Sequence, residues 1–164
     1  MERAIINTET GEVIGTIGTG DRIVRAESIN RLKSKTSDYT NHFIKANEEE
    51  GRLVLGELDS KEKVVLFTLQ YYVSYESGLL RYSNGKDIGF SEMVDIIGMS
   101  RGTLSKVIDG LIAKDILYKG RNSHRVQYFM NPWLFSKGEY NPTLKDMFGN
   151  YIIRSKGNVR WKDL

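Results

Sequence analysis

Two stretches of the chain hold side chains whose types and spacing suggest chemistry: Ser100-Arg-Gly-Thr-Leu-Ser-Lys106 and Lys119-Gly-Arg-Asn-Ser-His-Arg125. Ser100, Arg101, Thr103, Ser105 and Lys106 offer hydroxyl and cationic donors, and Gly102 removes bulk between them. Lys119, Arg121, Asn122, Ser123, His124 and Arg125 repeat that character. Donors without an interleaved carboxylate suit an anionic ligand rather than a reaction, and phosphate oxygens are the natural match.

Catalytic alternatives fit less well. A strand-nicking protein needs a tyrosine nucleophile and two metal-binding histidines close in sequence, whereas His42 and His124 stand 82 positions apart. The chain holds no cysteine, so thiolate catalysis and cysteine-ligated zinc are excluded. Gly15, Gly18 and Gly20 lack the Gly-Lys-Ser/Thr ending of a phosphate-binding loop, and no nucleophile elbow or HExxH pattern occurs. Glu48, Glu49 and Glu50 read as a solvated acidic run. The expectation is a protein without catalysis, cofactor, metal or small-molecule substrate.

These donors need elements to position them. Ser100 is a good N-cap for a helix over 101–114, where Leu104, Val107, Ile108 and Leu111 form one apolar stripe. Before it, Ser91 opens a short helix over 91–97 that Gly98 stops in the left-handed C′ position. After it, 116–118 and 126–130 read as two strands joined by the basic stretch 119–125, closed by Asn131-Pro132. Upstream, Ser60 caps an apolar run over 61–75, with Lys63 rather than Glu at the third helical position and so no capping box. That helix is apolar nearly all round and predicted to be buried, with Tyr71, Tyr72 and Tyr75 serving core or dimer packing rather than base stacking. Asn84-Gly85 marks a tight turn.

Elsewhere the signals are thinner. Residues 4–14 suggest a short hairpin around Gly11, 25–37 a short basic helix containing Ile29 and Leu32, 40–46 a strand, and 52–58 a short apolar segment. Trp133, Leu134 and Phe135 read as packing. Leu144, Met147 and Phe148, with the helices around Ile29 and Val65, form a candidate homodimer seam. The tail bases Arg154, Lys156, Arg160 and Lys162 are further candidates for phosphate contact, or for disorder.

Charge is distributed in blocks within a net +3 for 164 residues. Six bases against two acids give a local +4 over 22–45, and the same counts recur over 101–125. Residues 46–62 carry six acids against two bases, and 151–164 four bases against one acid. Met1 is followed by Glu2 and Arg3, and the longest apolar run, near 64–73, is too short to span a bilayer. A soluble, cytoplasmic protein without a membrane partner is expected.

Two short helices joined by a tight turn, the second followed by a basic hairpin, form the pattern of a winged helix-turn-helix. The predicted fold is α+β: that motif with a short N-terminal β-hairpin and a C-terminal helical extension. The expected division is 1–58, 59–132 and 133–164. In such a scaffold the helix over 101–114 enters the major groove of double-stranded DNA and the hairpin follows the backbone or a minor groove. Asp109 faces outward on that helix, where it is repelled by phosphate or accepts from a cytosine amino group.

The chain also resembles the RepL-type replication initiators of small plasmids and phages from low-GC Gram-positive bacteria. The resemblance runs from about residue 43 to 153. It rests on Ile97-Gly-Met-Ser-Arg-Gly-Thr-Leu104, Asp115-Ile-Leu-Tyr118 and, most pointedly, Tyr128-Phe-Met-Asn-Pro-Trp-Leu-Phe-Ser-Lys-Gly138. The helix-turn-helix half is similar to that of MarR-like regulators as well. The resemblance implies origin binding to initiate or regulate replication, or transcriptional regulation in a phage or plasmid on the same scaffold. A module that inhibits or redirects a host or phage protein is the remaining expectation.

Overall fold

The computed structural model describes residues 3–6, 9–11, 13–17, 43–122 and 125–164. The chain divides into two compact units, Met1–Thr40 and Asn41–Leu164. In the first, strands β1 (Arg3–Ile6) and β2 (Val13–Ile17) pair antiparallel, with Gly11 at φ +73° between them. The register shifts between Ile5 and Ile6, so the hairpin expected from the sequence carries a bulge. The predicted helix over 25–37 and residues 40–42 of the predicted strand over 40–46, His42 among them, lie outside the described residues; of 43–46 only Lys45–Ala46 is strand.

The second unit is a mixed α+β body of five helices and small antiparallel sheets among its described residues. Strand β3 (Lys45–Ala46) leads into helix α1 (Glu48–Glu57), where the sequence suggested only a short apolar segment over 52–58. Asn47 caps α1 by accepting from the Glu50 amide at 3.1 Å. Helix α2 (Ser60–Leu69) starts one residue earlier than expected. Asp59, not Ser60, is its N-cap, and the Asp59 carboxylate accepts from the amides of Lys61 (2.7 Å) and Glu62 (2.8 Å). Glu62 then occupies the third position and accepts from the Asp59 amide at 3.0 Å, so a capping box is present after all. The two readings differ because Asp and Ser are adjacent, equally good caps, and a shift of one residue moves Glu62 into the box.

α2 is not buried all round. It ends at Leu69, a 3₁₀ turn takes Gln70–Tyr72, and Val64, Phe67, Tyr71 and Tyr75 are exposed while Val65, Leu66 and Leu69 are buried. Next, residues 78–81 run beside strand β5 (Arg125–Met130). The Leu80 amide donates to the Tyr128 carbonyl, and the Met130 amide to that of Gly78, both at 2.8 Å. The Asn84-Gly85 turn holds, with Gly85 at φ +82° and the Tyr82 amide donating to the Lys86 carbonyl at 2.9 Å.

Helix α3 (Phe90–Ile97) begins at Phe90 rather than Ser91, with Gly89 as its N-cap and the Gly89 amide held by the Glu92 carboxylate at 3.2 Å. Gly98 closes it at φ +73°, as expected. Helix α4 (Arg101–Ala113) follows with Ser100 as N-cap, and Leu104, Val107, Ile108 and Leu111 are all buried beneath it. Each such aliphatic side chain contributes about 1.5–3 kcal/mol by leaving water.

α4 ends in a Schellman motif. The Asp115 amide donates to the Ile112 carbonyl and the Ile116 amide to that of Leu111, both at 2.9 Å, with Asp115 at φ +53° where glycine is usual. The buried Asn131 side chain fixes this corner: it donates to the Asp115 carbonyl and accepts from the Trp133 amide, each at 2.9 Å. Strand β4 (Leu117–Asn122) then pairs antiparallel with β5, from Leu117 opposite Met130 to Asn122 opposite Arg125. The strands are thus longer than the sequence suggested, and Lys119–Asn122 belongs to β4 rather than to a loop.

Residues 133–164 share the core. Strand β6 (Phe135–Ser136) pairs with β3, and helix α5 (Thr143–Met147) inserts Leu144. Phe148, Tyr151, Ile153 and Trp161 join the same buried cluster as α1, α2 and α4. This removes Leu144 and Phe148 from the expected dimer seam, because both are buried within one chain. Strands β7 (Ile152–Ile153) and β8 (Val159–Arg160) close the C-terminus.

The C-terminal tail is built rather than loose. Glu50, fully buried, accepts from the Tyr151 hydroxyl (2.6 Å) and the amides of Arg154 (3.1 Å) and Ser155 (2.8 Å). It is therefore no member of a solvated acidic run. Burial pushes its carboxyl up, but the hydrogen bonds from Tyr151, Ser155 and Arg154 outweigh that and hold it below the usual range. Arg154 grips Glu57 with two hydrogen bonds, at 2.6 and 2.7 Å. Among the described residues no helix is long and apolar enough to cross a membrane.

Candidate nucleic-acid interface

The caps and stripe of α4 decide which side chains it presents. With Leu104, Val107, Ile108 and Leu111 turned inward, Arg101, Gly102, Ser105, Lys106 and Asp109 are left exposed. Ser100 is committed locally. Its hydroxyl accepts from the Thr103 amide at 3.3 Å and bonds the Thr103 hydroxyl at 2.9 Å. Arg101 is posed rather than free to roam: its guanidinium lies 5.5 Å from the Phe90 ring centre and donates to the Ser91 hydroxyl at 3.4 Å. The first turn of α4 is thereby braced against the first turn of α3.

Beside α4 stands the β4–β5 hairpin. Side chains alternate along a strand, so Lys119 and Arg121 share the face of Leu117, while Asn122 and the opposite Arg125 share the other. A cleft of about 320 Å³ separates α4 from the hairpin, lined by Phe90, Ser105, Ile108, Asp109, Lys119, Val126 and Tyr128. Burial, with the nearby Asp109 charge, raises the Tyr128 phenol further above its ordinary value, so it stays a neutral donor. A second cleft brings Arg101 and Arg125 to one rim, with Lys86, Asp87 and Glu92 also on it. Those acids are already engaged: Asp87 with Arg81 (2.5 Å) and the Gln127 amide (2.6 Å), Glu92 with Lys86 (3.1 Å).

On the other flank of α4, Thr103 and Lys106 line a cleft with Asp59, Lys61 and Glu62. The structure therefore groups Ser105 with Lys119 and Arg101 with Arg125, and turns Lys106 toward the start of α2. Lys61 joins Lys106 there, a cation the sequence reading passed over because it placed Ser60 at the cap. Ser123 and His124 lie outside the described residues.

Pairing separates the bases of this region. Lys114 is bound to the buried Glu62 carboxylate, tying the end of α4 to the start of α2. A Cβ at Gly110 would stand 2.8 Å from that same carboxylate, which explains the small residue there. Arg101, Lys106, Lys119, Arg121 and Arg125 hold no salt bridge to any described residue. The tail is mixed: Arg154 is paired with Glu57 and Arg160 with Asp163 (2.7 Å), whereas Lys162 donates to the neutral Asn150 (2.8 Å) and Lys156 holds no salt bridge to a described residue.

No protein-family model matches this chain, and no curated protein or solved structure compared with it does either.

Proposed function

We propose that the chain binds double-stranded DNA sequence-specifically and without catalysis, as a winged helix-turn-helix. In this reading α3 and α4 are the two helices of the motif, α4 lies in the major groove, and the β4–β5 hairpin is the wing. One observation carries it: five cations on α4 and the hairpin hold no salt bridge to a described residue, while neighbouring Lys114 does. Unpaired bases on a rigid helix-and-hairpin surface are what counterion release from a duplex requires.

The parts have distinct roles. Arg101, held by Phe90 and Ser91, meets a phosphate together with the free amides at the start of α4. Gly102, Ser105 and Lys106 present the base-reading surface, and the absent side chain at Gly102 admits the groove wall. Lys119, Arg121 and Arg125 contact backbone oxygens along the wing, joined by Asn122, Ser123 and His124. Ser100 and Thr103 act by capping α4. Asp109 selects against phosphate and for a cytosine amino group.

The protein acts in the cytoplasm on a phage or plasmid, as a transcriptional regulator or replication-control protein. A second use, initiation at the element's own origin, is favoured by residues 128–138, which carry the resemblance to replication initiators. Affinity selection of sheared source DNA on the purified protein, followed by sequencing, separates the two. Enrichment of promoter fragments supports regulation, and enrichment of origin repeats supports initiation. Retention of nothing at moderate salt refutes specific DNA binding and favours a protein partner.

A further inference from the structure

We propose that the cleft between α4 and the β4–β5 hairpin binds a free guanine nucleotide, with the base inside it and the phosphate in the cleft next to it. The first cleft, about 320 Å³, sets Ser105, Asp109, Lys119 and Tyr128 against apolar walls. Asp109 and Lys119 bring opposite charges to it, yet neither holds a salt bridge to the other or to any described residue. Tyr128 is only 3% exposed, and its hydroxyl makes no hydrogen bond to a described residue. That hydroxyl lies within the field of the Asp109 carboxylate and stays protonated. A buried phenol without a partner, beside a carboxylate and an ammonium that do not pair, leaves three groups open to one ligand.

Their chemistry selects the base. A carboxylate only accepts, so the ring edge that meets Asp109 must carry donors. Guanine sets its N1–H and its 2-amino group side by side, matching both carboxylate oxygens, and its O6 accepts from Lys119 and Tyr128. Adenine and cytosine each place an amino group beside a bare ring nitrogen, whose lone pair would face the carboxylate. Uracil offers one N–H between two carbonyls. Within a duplex this edge of guanine is taken by its pair, so the cleft suits a free nucleotide.

The neighbouring cleft, about 490 Å³, shares Phe90 and Val126 with the first and has Arg101 and Arg125 on its rim. Its acids are engaged, Asp87 with Arg81 and Glu92 with Lys86, so the two arginines remain for a phosphate. A purine against Phe90 gains aromatic contact as well. Nucleotide binding itself needs no DNA. That a bound nucleotide displaces a duplex rests on the proposed DNA-binding role, since Arg101, Lys119 and Arg125 serve both.

Isothermal titration calorimetry of the full chain with GMP, AMP, CMP and UMP, without DNA, tests the site. GMP should bind with a Kd below about 100 µM, and the other three about tenfold or more weakly. Asp109→Asn should turn the preference toward xanthosine monophosphate, whose C2 carbonyl accepts from the new carboxamide. Arg125→Ala should weaken GMP but not guanosine. No heat with GMP at about 1 mM, equal affinity for all four nucleotides, or an unchanged preference in Asp109→Asn overturns the proposal. A chain that binds a duplex but no GMP lacks this site alone. One that binds GMP but no duplex keeps the site and refutes the DNA-binding role.

Discussion

Two regions of this chain look alike as strings of bases and differ as surfaces. Residues 101–125 carry six bases against two acids, and residues 151–164 carry four against one. In the tail, Arg154 is only 15% exposed and is held by Glu57 and buried Glu50, and Arg160 is paired with Asp163, while Lys162 bonds only the neutral Asn150 and Lys156 holds no salt bridge to a described residue. Among the described residues of α4 and the hairpin, Lys114 alone holds a salt bridge to a carboxylate. Available charge therefore differs from counted charge. A base paired inside the fold stabilises it, whereas an unpaired one remains to release counterions from a polyanion.

Breaking the tail network should have the largest effect. Glu50→Ala leaves the Tyr151 hydroxyl, two amides and part of Arg154 without an acceptor, and should cost about 3–5 kcal/mol in denaturant unfolding. The network also has a pH signature. Because the folded Glu50 carboxyl is held below its ordinary value, its contribution is present above about pH 4.5 and is lost as pH falls through the folded value. Glu50→Gln should flatten the dependence of stability on pH in that acidic window. An unchanged acid-unfolding curve would show that Glu50 is not the group responsible.

Lys114→Ala sharpens the comparison from within the basic region. It strips the buried Glu62 of its cation, so unfolding should show a loss of about 2 kcal/mol. DNA affinity and its salt dependence should stay as they were, because this base is not presented outward. Arg160→Ala should change least. Its pairing with Asp163 is solvent-exposed and worth under about 1 kcal/mol, and neither melting temperature nor DNA binding should move measurably.

Much of the helical part was legible in the chain, for identifiable reasons. The Leu104, Val107, Ile108 and Leu111 stripe, the Ser100 cap and the Gly98 stop are local signals that tertiary packing did not override. The cap of α2 was misplaced because Asp59 and Ser60 compete locally, and only the Glu62–Lys114 pairing across 52 residues favours one register. α1 was missed because its burial rests on Glu50 meeting Tyr151, Arg154 and Ser155, a contact no local period reveals. Likewise, the apolar run from 64 to 75 cannot tell which side faces solvent, since core and exposed stripe use the same residue types. At the interface, sequence named the basic positions but not which were already paired. That depends on carboxylates brought in from Glu50, Glu57 and Glu62.

The most direct test is the salt dependence of duplex binding, read by fluorescence anisotropy for the wild type, Lys119→Ala, Arg121→Ala and the tail pair Arg160→Ala with Lys162→Ala. Each of the first two variants should flatten the log–log slope by about 0.9, one phosphate contact apiece, while the tail pair leaves it at the wild-type value. Equal slopes in all four proteins, or a loss confined to the tail pair, would contradict the assignment of α4 and the hairpin as the DNA-binding surface.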